Sequence, residues 1–69
     1  MLKVLLEIDL LRLKSERMKR MLSQQDVAEV LGISRGYYQY KENGKSHFTE
    51  EEIDKLVSLY KVKKKDLFL

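Results

Sequence analysis

Apolar residues recur along this chain at helical spacing, broken by short joints of polar residues or glycine. Over residues 10–21, Leu10, Leu13, Arg17 and Met18 fall on one side of a helix, with Arg12, Lys14, Lys19 and Arg20 mostly elsewhere. Ser23 stands where a hydroxyl can accept from the free N–H groups of a first turn, and Asp26 suits the positive helix end. Val27, Val30 and Leu31 give this second helix its apolar stripe. Gly32 stops it, because glycine enters the left-handed region cheaply. Ser34 caps a third helix running to Glu42, and Asn43-Gly44 ends it with residues that tolerate positive φ. Thr49 caps a fourth, whose first turn Glu50-Glu51-Glu52 complements the helix dipole and whose buried face is Ile53, Leu56, Val57 and Tyr60. Residues 63–68 suffice for one more short turn returning Leu67 and Phe68 to the core. The pattern predicts an all-α chain.

Residues 1–9 read two ways. Leu2, Val4, Leu6, Ile8 and Leu10 alternate with their neighbours at strand period, whereas Leu2, Leu6, Leu10 and Leu13 would extend the first helix upstream. The helix is favoured, because a strand would find no partner inside a four- or five-helix domain and would have to pair with a second copy of the chain.

Composition narrows the function classes. At 69 residues the chain makes one domain, 1–69, of which 43% is hydrophobic. A chain of this size buries only about 60% of its unfolded surface, so it needs a dense core or a partner. No cysteine is present, which excludes disulfides and thiolate metal sites, and one histidine, His47, cannot build a zinc site. No metal or cofactor is therefore expected. Neither a paired acid and base nor a nucleophile suggests an enzyme: Ser34 is better explained as a helix cap than as a partner for His47. No apolar run reaches the ~20 residues of a membrane span and no signal peptide is visible, so the expected setting is cytoplasmic, without membrane contact. Residues 1–47 hold nine Lys/Arg against six Asp/Glu, and residues 48–69 five of each. The net charge of +3 thus lies in the first two-thirds, which fits a polyanionic partner without requiring one.

The informative stretch is Leu22 to Lys45, LSQQDVAEVLGISRGYYQYKENGK. Two helices joined by Gly32-Ile33 must cross steeply, with the small Ala28 where they touch and Val27, Leu31, Ile33 and Tyr38 facing inward. Residues 23–43 form a helix-turn-helix unit, whose second helix projects as a rod able to enter a DNA major groove. On Leu22-Ser23-Gln24, Ala28, Leu31-Gly32-Ile33-Ser34-Arg35 and Glu42-Asn43-Gly44-Lys45, the chain resembles the lambdoid-phage repressor and Cro helix-turn-helix regulators, the Xre family. The resemblance runs from about Arg12 to Phe68. It implies a compact repressor-like DNA-binding domain and a partly buried salt bridge between Arg17 and Glu42 that orients the third helix.

Stepping about 100° per residue from Ser34 turns Tyr38 inward and Arg35, Gly36, Gln39 and Tyr40 outward. Arg35 can pair both acceptors of guanine, Gln39 suits adenine or a phosphate, and Tyr40 a thymine methyl or the sugar backbone. Gly36 replaces a polar reader of related proteins; it is either a site of close helix approach or a tolerated surface glycine. The resemblance assigns phosphate contact to Gln24, which would also brace the third helix. Ser34 joins the backbone set, Tyr37 at the flank could reach a phosphate, and Asn43, Gly44, Lys45 and Ser46 form a loop that clamps the sugar-phosphate chain. One departure from the family is Lys41, at an inner position usually apolar, where it would have to snorkel to the edge. The implied function is a transcriptional regulator, Cro- or repressor-like, of phage or mobile-element type. It would bind double-stranded DNA as a homodimer on a palindromic operator, at the nucleoid. The alternative is an antirepressor- or antitoxin-type module that meets a protein partner through the apolar N-terminal segment.

Overall fold

The computed structural model describes residues 7–69. Four helices, α1 (Leu10–Lys19), α2 (Gln24–Leu31), α3 (Arg35–Glu42) and α4 (Glu50–Tyr60), precede a 3-10 turn at Lys64–Leu67. The fold is all-α among these residues. Leu13, Val27, Ala28, Leu31, Tyr38, Leu56, Tyr60 and Leu67 form one core drawn from every helix and the final turn. Full burial of a leucine such as Leu13 or Leu56 is worth roughly 1.5–3 kcal/mol. No helix among the described residues is long and apolar enough to cross a membrane.

Each helix starts the same way. The side chains of Asp9, Ser23, Ser34 and Thr49 accept from the backbone N–H three residues on, and Asp26 and Glu52 return the bond to form full capping boxes. Each helix also ends the same way. Met21, Gly32, Gly44 and Lys61 take left-handed backbone with φ of 57°, 74°, 82° and 54°. The next N–H then reaches back to a carbonyl five residues earlier: Leu22 to Arg17, Ile33 to Ala28, Lys45 to Tyr40 and Val62 to Val57. Asn43 keeps an ordinary φ of −86°, so Gly44 alone makes that turn.

Several expectations change. Glu7–Asp9 is extended rather than helical, because Asp9 spends its side chain capping α1, its Oδ1 accepting from Arg12 N–H at 3.0 Å. Its strand partner is the chain's own C-terminus, not a second copy. Asp9 N–H donates to the Leu67 carbonyl and Leu69 N–H to the Glu7 carbonyl, both at 2.8 Å, around an antiparallel bridge of Ile8 with Phe68. The readings of residues 1–6 lie outside the described residues. α1 ends at Lys19, two residues before the expected end at Met21. Met18, expected on its inner side, is 61% exposed, while Glu16 is buried in its stead. The exchange has an electrostatic cause: Glu16 gathers Arg12 at 2.6 Å, Arg20 at 2.6 Å and Lys19 at 3.3 Å. Arg20 continues to the Tyr60 carbonyl at 2.6 Å and covers the Tyr60 ring at 4.9 Å, fastening the end of α1 to the end of α4. Val30 is also exposed, at the outer edge of the α2–α4 contact beside Leu59, so Val27, Ala28 and Leu31 carry that stripe.

A left-handed conformation costs a non-glycine residue roughly 1–2 kcal/mol. Met21 adopts it with a side chain 92% exposed, so it has little packing to lose. Met21→Gly is expected to raise stability by about 1 kcal/mol, read from the urea midpoint at constant slope. A midpoint unchanged or lowered would show that the turn is relaxed with methionine.

Candidate nucleic-acid interface

The third helix has a sharply divided surface. Arg35, Gly36, Tyr37, Gln39 and Tyr40 are exposed, and only Tyr38, Lys41 and Glu42 are buried. Ser34 is exposed too, its hydroxyl occupied by Tyr37 N–H at 3.1 Å. Asn43, Gly44 and Lys45 continue the exposed surface beyond the helix, and Ser46 is half-buried. Lys45 Nζ lies 5.9 Å from the centre of the Tyr40 ring, so the loop folds back towards the C-terminal outer side of α3. His47 is exposed in the same loop. A Cβ placed on Gly36 would meet nothing within 4 Å, so its surroundings leave room for a side chain.

What aims this face is a cluster behind it. Arg17 of α1 grips the Glu42 carboxylate with Nε at 3.0 Å and Nη2 at 3.2 Å, while its Nη1 donates to the Leu22 carbonyl at 2.9 Å. Gln24, the first residue of α2, donates from Nε2 to the same carboxylate at 3.1 Å. The buried Tyr38 hydroxyl, one turn back along α3, donates to its other oxygen. Gln24 therefore braces α3 through its side chain, and one hydrogen of its amide remains for another acceptor. Burial pushes the Glu42 carboxyl up, but the bonds from Arg17, Tyr38 and Gln24 outweigh it and hold the group below its ordinary value. Burial, and then the bond to Glu42, drives the Tyr38 phenol well above its usual range, so it remains a donor.

Lys41 does not snorkel. Its side chain is fully enclosed, and its ammonium bonds the Glu52 carboxylate of α4. Nζ also lies over the Tyr37 ring at 4.5 Å and the Phe48 ring at 5.9 Å. The first turn of α4 is thus more than dipole complementation: Glu50 and Glu51 are exposed, while Glu52 is buried, caps Thr49 and neutralises Lys41. Sequence reasoning flagged Lys41 as inward-facing but missed Glu52 and Glu16 as partners of buried charge. The signal was present in Glu52 at the third position after a Thr cap, a capping-box spacing.

Paired carboxylates make stability depend on pH. The Glu16 carboxyl is lowered to about 2, chiefly by Arg20 and then by Arg12, and Glu42 and Glu52 are also lowered. The unfolded chain, with ordinary carboxylates near 4.5, takes up these protons first. The stabilisation from Glu16 is complete above about pH 4.5 and is lost as pH falls towards about 2, and that from Glu42 and Glu52 is likewise present above the ordinary carboxylate range and lost below it. Urea midpoints between pH 7 and pH 2 should fall steadily below the upper value, and a flat profile to the acid end would refute the pairing.

Residues 13–67 match the helix-turn-helix family of Cro/C1 type. No curated protein and no solved structure matches the chain. With the matched region covering α2, the Gly32 turn and α3, the chain belongs to the Cro/C1-type helix-turn-helix family of DNA-binding regulators.

Proposed function

We propose that the protein is a sequence-specific transcriptional regulator, Cro- or repressor-like and of phage or mobile-element type. It places α3 in the major groove of double-stranded DNA and binds as a symmetric dimer. The observation that carries this reading is the division of α3: its outer side presents Arg35, Gln39 and Tyr40 together, and its inner side is tied to three other helices. Arg35 reads guanine through its fork, Gln39 contacts adenine or a phosphate, and Tyr40 meets a thymine methyl or a sugar. Gln24, Ser34, Tyr37, Asn43, Gly44, Lys45 and Ser46 hold the sugar-phosphate chain, Gln24 with the amide hydrogen that Glu42 leaves over. One copy offers a single short reading helix. A pair separated by about 34 Å, one turn of DNA, multiplies specificity on a palindromic operator. The reaction class is binding, with no catalytic chemistry and no cofactor.

A second reading has one observation in its favour. Leu11, Met18 and Met21 stand exposed along the outer side of α1 and just beyond it, an apolar row suited to a protein partner. It would move the antirepressor- or antitoxin-type contact from the N-terminal segment, residues 1–6 of which lie outside the described residues, to α1 itself.

Selection from a random double-stranded pool at about 150 mM salt is expected to enrich a palindrome, with Arg35→Ala losing discrimination at one guanine per half-site. No enrichment by the folded wild type would overturn the DNA reading and favour the second. Gly36 gives a finer test. Gly36→Ala should raise stability by about 1 kcal/mol through helix preference, yet weaken binding to the selected duplex if α3 approaches the groove closely there. We expect both effects; equal binding would reduce Gly36 to a tolerated surface position.

A further inference from the structure

Lys41 and Glu52 are a charged pair enclosed where helices of this size usually meet through apolar side chains. Breaking such a pair is costly, and an apolar pair of similar volume would often be no less stable, so stability alone is a weak reason for it. Its surroundings suggest another role. The ammonium is held by one carboxylate and two aromatic rings, Tyr37 on α3 and Phe48 at the end of the loop. The carboxylate oxygen that binds Lys41 also accepts the Thr49 N–H at 2.8 Å, which fixes where the loop becomes α4. Phe48 in turn stands edge-on to Tyr38, with centroids 6.2 Å apart. Of the side chains around the ammonium, Glu52 is buried, Phe48 is half-buried and Tyr37 is exposed: its ring packs on a buried charge, and the residue is 47% exposed.

We propose that Lys41, anchored by Glu52, is a positioning residue that fixes the Tyr37 ring on the DNA-facing flank of α3 and sets it in register with the loop at residues 43–48. The cation–π contact gives the ring one preferred placement, and the buried carboxylate prevents the ammonium from following Tyr37 into solvent. Tyr37 then meets the sugar-phosphate chain already ordered, so the entropy of fixing it is not charged to binding. The inference rests on the DNA-binding reading above.

The test is a double-mutant cycle on the duplex selected by the wild type. Lys41→Met keeps the length and apolar stem of the side chain and deletes its charge; Tyr37→Phe keeps the ring and deletes the hydroxyl. Lys41→Met is expected to weaken binding roughly tenfold in the wild type, but less than about twofold in the Tyr37→Phe background. Lys41→Arg, which keeps a cation over the ring, should recover most of the loss. Equal losses in both backgrounds would overturn the proposal, because a merely structural Lys41 weakens binding whether or not the hydroxyl is present. If Lys41→Met does not fold, Glu52→Gln runs the same cycle, since its amide oxygen can still accept from Thr49. The free protein supplies an independent readout by magnetic resonance. Tyr37 should hold a single χ1 rotamer in the wild type and average among rotamers in the folded variant. An unchanged rotamer would refute the proposal without DNA. Failure of the wild type to bind any duplex would instead bring down the DNA reading on which it rests.

Discussion

The arrangement depends on one buried carboxylate. An ionised Glu42 side chain removed from water costs several kcal/mol unless it is paired and fully hydrogen-bonded. Its partners come from three places: Arg17 on α1, Gln24 at the start of α2 and Tyr38 one turn back along α3. These donors can converge on two oxygens only when the three helices stand in one relative orientation. A small displacement of α3 that an apolar contact would tolerate would here strand a charge. The direction of the outer face of α3 follows from that geometry.

The reason for so much charge inside is the shortness of α3. Eight residues bury three side chains, and Tyr38 is the only one that is mainly apolar. One ring cannot fix a helix against rotation about its own axis. Glu42 ties the helix towards α1 and α2, and Lys41 ties it towards α4 through Glu52. The two bonds pull on adjacent residues in different directions, which constrains rotation in a way that non-directional burial cannot. Glu16 does for α1 what these do for α3, gathering its own helix's cations while Arg20 crosses to Tyr60.

Local rules were readable from sequence, and non-local ones were not. Ser23, Ser34 and Thr49 announce their helices because a cap is a bond over three residues, and Gly32 and Gly44 announce two ends because they relieve positive φ. Met21 and Lys61 occupy the same place in the other two ends without any such mark, held there by the return bonds of Leu22 and Val62. The outward positions Arg35, Gly36, Gln39 and Tyr40 follow from helical period alone. The family resemblance placed Lys41 at an inner position, but it is silent on which residue eleven positions later would meet it. Glu7–Asp9 misled for the same reason: its ladder partner is Leu67–Leu69, across the length of the described chain. Met18 and Glu16 exchanged roles because apolar counting gives no weight to a carboxylate that three cations can enclose.

This internal pairing changes what the basic composition means for DNA. Arg12, Arg17, Lys19, Arg20 and Lys41 are all committed to Glu16, Glu42 or Glu52. On the outer side of α3 and its following loop, the cations with no ion pair among the described residues are Arg35 and Lys45. A surface with so few available cations releases few counterions, so non-specific attraction to phosphate from one copy is weak and falls only shallowly with salt. In the proposed mode of binding, affinity for the right sequence would then come from base contacts made by α3 in a fixed orientation and from the second copy of the proposed dimer. For such a protein the accuracy with which Glu42 and Lys41 hold α3 matters more than total charge. A rotation of α3 about its axis would cost the proposed base contacts while leaving the net charge unchanged.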